Sequence, residues 1–383
     1  DEHWHVERPA LEAAFIAFLD SPHTVFSLAG VSGIGKSWTI ARILKNLCQD
    51  RLCLLVGGEV LDDFQSLAAI VGSQLRPLVQ GDETDAGLLE RWRAESASES
   101  AKPPLLILDD LTLSQTDHSK RQRQLKALCV QAKDAGVKLL FSGQWHLWRL
   151  AKLGQELNSN DVFPSSQTEN IVDEDKNAAS TAASKEVLRS LRDDRISFII
   201  QDFTADELEI AVRRRLGNAP SERVNSLAQR LRSPAFAPLR NPFLLSLALK
   251  NSAAYQAQPE DDSIFDVDAL LDKHIIHILE RIAEPMGLTG EDLRPSLDAL
   301  VSALWQSREQ GLVLSEAVRI LNENTGLSGA DLIKALRKWG LLVPTAPIRI
   351  ERNHIAYRLF ALELQKQVEA GVELLTILDP KNE

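Results

Sequence analysis

Two hydrophobic rhythms divide the chain. In the first half, short apolar runs stand between turn residues: "TVFSLA" at 24–29, "RLCLLVGG" at 51–58, "PLLILDD" at 104–110, "VKLLFSG" at 137–143 and "ISFIIQDF" at 196–203. Runs of this length bounded by Gly, Pro and Asp predict buried strands. Stretches with helical spacing separate them, around 61–80, 84–95 and 119–135. Strand and helix in alternation predict a parallel sheet covered by helices on both faces.

The rhythm then changes. Residues 155–195 are polar and rich in Ser, Asn and Ala, as in "SSQTENIVDEDKNAASTAAS", which predicts an exposed and partly disordered insertion. Thr204 and Glu207 in "TADE" have capping-box spacing and predict the start of a helix through "DELEIAVRRRL". Beyond it, helical spacing recurs at 221–232, 241–250, 264–283, 296–307, 315–323 and 329–338. Two short extended segments, "LLVPT" and "PIRIE", precede a last helix from about Asn353. Helices, a strand pair and a further helix resemble a winged helix-turn-helix.

The first strand runs into "GVSGIGKS", Gly30–Ser37, which has the G-x-x-x-x-G-K-S spacing of a phosphate-binding loop. Glycines let the backbone turn tightly and aim successive N–H groups at a polyphosphate. The loop residues Gly30, Val31, Ser32, Gly33, Ile34 and Gly35 would form that cradle, with Trp38 just beyond it. Lys36 would reach the β- and γ-phosphates, and the Ser37 hydroxyl would ligate Mg²⁺. Ile40, Ile43, Leu44 and Leu47 give the following stretch helical spacing, so the loop ends at a helix N-terminus, where the dipole favours anions. The competing reading is a strand-to-helix turn without a ligand; the strand, loop and helix order favours the phosphate site. The fold class expected is therefore an α/β P-loop NTPase sheet followed by a helical domain and a winged helix. The expected domains are 1–203, 204–260 and 261–383.

Such a site needs a carboxylate held rigidly at a strand end. "LLILDD" supplies Asp109 to hold Mg²⁺ through water and Asp110 to orient or polarise the attacking water. The strand "KLLFSGQ" places Ser142 and Gln144 where a polar phosphate sensor is expected. No guanine-reading N-K-x-D element is evident, so ATP or dATP is favoured over GTP.

Composition narrows the class. A net charge of −11 and a pI near 5.3 argue against broad electrostatic binding to nucleic acid. Cys48, Cys53 and Cys129 have neither metal-like nor secretory spacing, and reduced thiols in a cytoplasm are the simplest account. No stretch resembles a signal peptide, no apolar run is long enough to span a membrane, and no membrane partner is expected. The chain starts at Asp1 and holds one Met, which leads us to expect a piece of a longer polypeptide.

With these motifs in view, the chain resembles the STAND class of signal-transducing ATPases, which includes the NACHT and NB-ARC families. "GVSGIGKS" and "LLILDD" are similar to the family's P-loop and double-acid strand. "VERPALE" resembles its adenine-side element, with Val6, Arg8 and Glu12 in place and Glu7 where the family has glycine. "NPFLLSLAL" resembles the segment whose proline packs on adenine, here Pro242. "IRIERNHIAYRLFALEL" resembles the winged-helix end, where a histidine, here His354, reaches the β-phosphate of ADP; Ile355 follows it, as in NACHT-like bacterial sequences. The resemblance implies a slow ATP/ADP switch with Mg²⁺, closed with ADP and forming homo-oligomers on activation. It also implies signalling, including anti-phage defence, through effector and sensor parts that are not visible here.

Other features carry competing readings. Arg213, Arg214 and Arg215 read as a solvated helix face or as an arginine finger, and Arg240 as a sensor or a surface residue. His274 and His277 read as surface or interface residues, and Trp145 and Trp148 as packing residues. A second functional class is a DNA-binding ATPase of the origin-recognition type. It would read duplex through Lys334, Arg337 and Lys338, with Arg349 and Arg352 on the wing. Nucleic acid is the less favoured partner because of the overall acidity. A third is a non-hydrolysing scaffold, which would tolerate Asp110→Ala.

Overall fold

The computed structural model describes residues 6–47, 51–79, 82–100, 102–111, 118–150, 152–165, 167, 193–217, 220–250, 265–307, 311–343, 347–350 and 353–372. The chain divides into two compact units, with the break between Asp202 and Phe203.

The first unit is a five-stranded sheet: β1 (Val25–Gly30), β2 (Cys53–Gly57), β3 (Leu105–Leu111), β4 (Lys138–Gln144) and β5 (Phe198–Ile200). Every pairing is parallel and the order is β2-β3-β4-β1-β5. Alternate side chains of each strand enter different cores, as the two-residue period of a strand requires. Phe26, Leu28, Ile107, Leu140 and Ile200 face one core with helices α1 (Pro9–Asp20) and α2 (Lys36–Leu47). Val25, Leu106, Leu108, Leu139, Phe141 and Ile199 face the other. That second core is closed by α3 (Val60–Asp63), α4 (Leu67–Leu75), α5 (Asp85–Ser100), α6 (His118–Ala135) and α7 (Trp145–Leu150). Burial on both faces explains why the inner strands β1, β3 and β4 read as nearly unbroken apolar runs; at the edge, Leu55 of β2 is exposed.

Three local features depart from the sequence reading. The helix expected over 61–80 is two helices, because Phe64 is extended and the Ser66 hydroxyl caps a new start at Leu67. The span 155–195 is not exposed throughout: Leu157, Asp161 and Val162 are buried, and Val162 bridges Val25 in parallel. Phe163 there packs on Phe18 and Phe26. The remainder of that span lies largely outside the described residues. Lys138 is also buried, its ammonium donating to the carbonyls of Phe18, Ser21 and His23 at 3.2, 2.5 and 2.6 Å, which caps the C-terminus of α1.

The second unit is helical. α8 (Ala205–Leu216) starts at the capping box of Thr204 and Glu207, as its spacing predicted. α9 (Ser221–Leu231), α10 (Pro242–Lys250) and the hairpin of α11 (Val267–Ala283) and α12 (Gly290–Gln306) follow. α12 begins six residues before the expected 296, because Thr289 and Asp292 form a capping box and Pro295 is carried within the helix. α13 (Leu314–Thr325) and α14 (Gly329–Lys338) complete the helices of a winged helix, whose strands are single antiparallel bridges, Leu312 with Ile348 and Leu342 with Ile350. α15 (Asn353–Glu369) is tied to α11 through Arg358, which bonds Asp272 at 2.6 Å and Asp268 at 3.1 Å. Among the described residues no helix is long and apolar enough to cross a membrane.

Candidate functional site

In a parallel sheet all the strands deliver their carboxyl ends to one edge, the usual place for a ligand in an open α/β fold. The P-loop leaves β1 there, the acids end β3, and Gln144 ends β4 opposite Gly30. β4 separates the P-loop strand from the acid strand.

The loop has the backbone that a phosphate cradle needs. Gly33 and Gly35 have φ of 75° and 91°, left-handed values that favour glycine. Gly30 is required for a different reason: a Cβ there would lie 2.9 Å from the Ile200 carbonyl oxygen and 3.0 Å from Ile34 Cγ2. Ile34 is buried in the α1/α2 core and anchors the loop, so its backbone alone can face a ligand. Val31, Ser37 and Trp38 are exposed, and Ser32 is half-buried. α2 begins at Lys36, so the leading N–H groups of its first turn lie outside the helical ladder.

Lys36 is 8% exposed and folds back on the loop, donating to the carbonyls of Gly30 at 3.0 Å and Val31 at 3.1 Å. Burial pushes its pKa down, while Asp110 and Asp109 pull it up. The carboxyl of Asp110 is shifted upward, by desolvation foremost; Lys36 opposes the shift, and Asp109 and Glu59 add to it. Asp110 nevertheless remains open to water, so solvent screening limits the size of that effect. A cationic side chain bonded only to carbonyl oxygens, beside two carboxylates and a helix start, has the donor set for a polyphosphate with a divalent cation. The exposed Ser37 hydroxyl and half-buried Asp109 fit the cation.

Ser142 does not face this site as a sensor. It is fully buried, and its hydroxyl donates to the Asp109 carboxylate and accepts the Asp110 N–H at 3.0 Å. Gln144, half-buried, ends β4 opposite Gly30, at the edge where the P-loop leaves β1. Val6 is buried, and Arg8 donates to the carbonyl of Gln201, just past β5, at 2.8 Å, so "VERPALE" lies at the same edge. Gly58 and Glu59, behind and beside Asp110, were missed in the sequence; the "GG" ending the second apolar run was their signal.

Pro242 and His354 belong to the other unit. Pro242 opens α10, and the next residue, Phe243, has its ring 6.4 Å from the His354 ring at 19° and 5.6 Å from the His274 ring at 71°. Arg240 donates to the Arg232 carbonyl at 2.8 Å and Arg213 pairs with Glu209 at 3.2 Å. Trp148 is buried, with its indole N–H on the Asp194 carbonyl at 3.0 Å. Among the described residues no cluster of His, Cys, Asp and Glu could hold a metal by itself.

The loop after β1, the acid strand two positions away and the helices on both faces make this a P-loop NTPase fold. No family model and no curated protein matches the chain. Among solved structures it is similar to Cdc6p from Pyrobaculum aerophilum, with 16% identity and a TM-score of 0.35 over 95% of this chain and 93% of that one. It is also similar to the ORC1 protein of Aeropyrum pernix in complex with DNA, at 15%, 0.37, 96% and 95%. A third is AMPPCP-bound DnaA from Aquifex aeolicus, at 13%, 0.32, 96% and 95%. Scores this low decide nothing about function, which rests on the geometry at the sheet edge.

Proposed function

We propose that this chain binds ATP with Mg²⁺ at the P-loop, hydrolyses it slowly and uses the change to ADP as a switch of the STAND class. One observation carries the phosphate reading: a buried lysine, held by loop carbonyls at a helix start, lies under the pull of two carboxylates from a neighbouring part of the sheet.

In this reading Lys36 leaves the carbonyls of Gly30 and Val31 for the β- and γ-phosphate oxygens. Ser37 and Asp109 would hold Mg²⁺, which when bound would neutralise charge on those oxygens. Asp110 orients a water whose oxygen bonds to the γ-phosphorus. The bond from that phosphorus to the ADP oxygen breaks, and the water's proton passes to Asp110 or solvent. The backbone of Gly30 to Gly35 and the exposed Val31 and Trp38 line the nucleotide.

The family resemblance, and nothing else, supports the finer parts: Val6 and Arg8 on the adenine side, Pro242 against the base, and His354 on the β-phosphate of ADP. It also supports the division into 1–203, 204–260 and 261–383, oligomerisation on activation, and a cytoplasmic role in signalling or anti-phage defence. An ADP that bonds His354 would favour the closed form by its differential affinity for two states.

The test is to denature purified protein and identify the released nucleotide by chromatography. Bound ADP, lost in Lys36→Ala and released faster in His354→Ala, is the expected result. A wild-type chain that is empty and turns over ATP rapidly would sink the switch. A second reading, duplex DNA binding, is favoured by one feature: Lys334 and Lys338 are exposed on α14, the third helix of the winged helix. Salt-dependent duplex affinity that falls on Lys334→Glu would support it.

A further inference from the structure

Two adjacent acids on one strand pose a geometric problem. In a regular strand neighbouring side chains leave opposite faces, so Asp109 and Asp110 would not serve one site together. β3 breaks that regularity where they stand. Leu108 is opposite Phe141 and Leu111 is opposite Gly143, so Asp109 and Asp110 on β3 face Ser142 alone on β4. That is a β-bulge, with Asp110 at a φ of 53°, a left-handed backbone that Asp tolerates better than most side chains.

We propose that this bulge, pinned by Ser142, is what brings both acids to the P-loop lysine, which makes Ser142 a positioning residue of the site. The inference rests on the phosphate-site reading above. The buried Ser142 hydroxyl serves both acids at once, giving its proton to the Asp109 carboxylate and its lone pair to the Asp110 N–H. On the other flank the Gly58 N–H donates to the Asp109 carbonyl at 2.6 Å. A Cβ on Gly58 would lie 2.7 Å from both the Asp110 carbonyl oxygen and Leu111 Cα, so the turn after β2 closes directly on the bulge. Held from both sides, the two consecutive carboxylates act together on Lys36.

Serine and threonine can give a proton and accept one at the same oxygen; alanine can do neither. Ser142→Ala and Ser142→Thr should therefore part company in the full chain. Three readouts apply: hydrogen exchange of the Asp110 amide without nucleotide, equilibrium affinity for ATP, and ATP turnover across a Mg²⁺ titration. For Ser142→Ala we expect exchange at Asp110 to quicken by about tenfold or more, ATP affinity to stay within about threefold, and turnover to fall by roughly 30-fold with a higher Mg²⁺ requirement. Ser142→Thr should recover most of the turnover. If Ser142→Ala does not fold, Ser142→Cys, close in volume but a weak hydrogen-bonding group, makes the same comparison. Turnover and Mg²⁺ dependence unchanged in the Ala or Cys variant, or Thr no better than Ala, overturns the positioning role. A wild-type chain that binds no ATP overturns the phosphate reading and this role with it, while Asp110 exchange still decides whether Ser142 pins the bulge.

Discussion

The P-loop and the acid bulge lie at the same edge of one sheet, and both hold backbone in the left-handed region, but by opposite means. In the P-loop, glycines carry the unusual dihedrals, Gly33 at 75° and Gly35 at 91°, and an added Cβ on Gly35 would meet nothing within 4 Å. At the bulge an ordinary residue, Asp110, is forced to 53° by neighbours on two other segments, Ser142 and Gly58. The first conformation is written in the residues that adopt it. The second is imposed from outside, and so should be the more sensitive to changes in its surroundings.

The largest effect should come from Gly58→Ala. Its methyl would press on backbone atoms, which cannot swing away, and overpacking of this kind costs about 3 kcal/mol. Urea unfolding measures it; a loss below roughly 0.5 kcal/mol would mean that the bulge is not clamped from β2. Gly35→Ala should cost less, about 1 kcal/mol, because only left-handed strain is added in open space. If Gly35→Ala instead proves the costlier, the contrast between intrinsic and imposed geometry fails.

The same contrast explains what could be read from the sequence. The P-loop was legible because spacing alone defines it: Gly30, Gly35, Lys36 and Ser37 lie within eight consecutive residues. The strands were legible as apolar runs, which burial on both faces explains for β1, β3 and β4; the edge strand β2 reads the same way although its Leu55 is exposed. The Thr204 cap was legible because Glu207 lies three residues on; Thr289 and Asp292 have the same spacing at the start of α12, which helical periodicity alone placed at 296. The bulge was not legible at all. It depends on Ser142, some thirty residues away and one strand across, and Ser142 read by position looked like a sensor. Long-range pairing decides such features, and a local pattern carries no trace of it.

Asp110→Gly sharpens the comparison from the other side. Glycine takes the left-handed backbone freely but loses more freedom on folding, so the gain in stability should be only about 0.5 kcal/mol. The nucleotide-free protein should melt slightly higher while ATP turnover collapses. A variant that melts lower would show that the Asp110 side chain, rather than its neighbours, holds the turn.

Asp110→Asn separates charge from backbone, since asparagine shares the tolerance for left-handed φ. Burial raises the Asp110 pKa, with Lys36 opposing and Asp109 and Glu59 reinforcing. As pH falls, the folded chain therefore binds this proton before the unfolded chain does. The stability linked to it is fully present below the unfolded value of about 3.9 and is lost as pH rises through the higher folded value. At neutral pH the ionised carboxylate is thus a small burden on the nucleotide-free protein, a few tenths of a kcal/mol given its access to water. Asp110→Asn should melt slightly above wild type at pH 7, and the gap should close on acidification through the carboxylate range. A gap of the same size at every pH would show that ionisation of Asp110 is not what lowers the wild-type melting temperature.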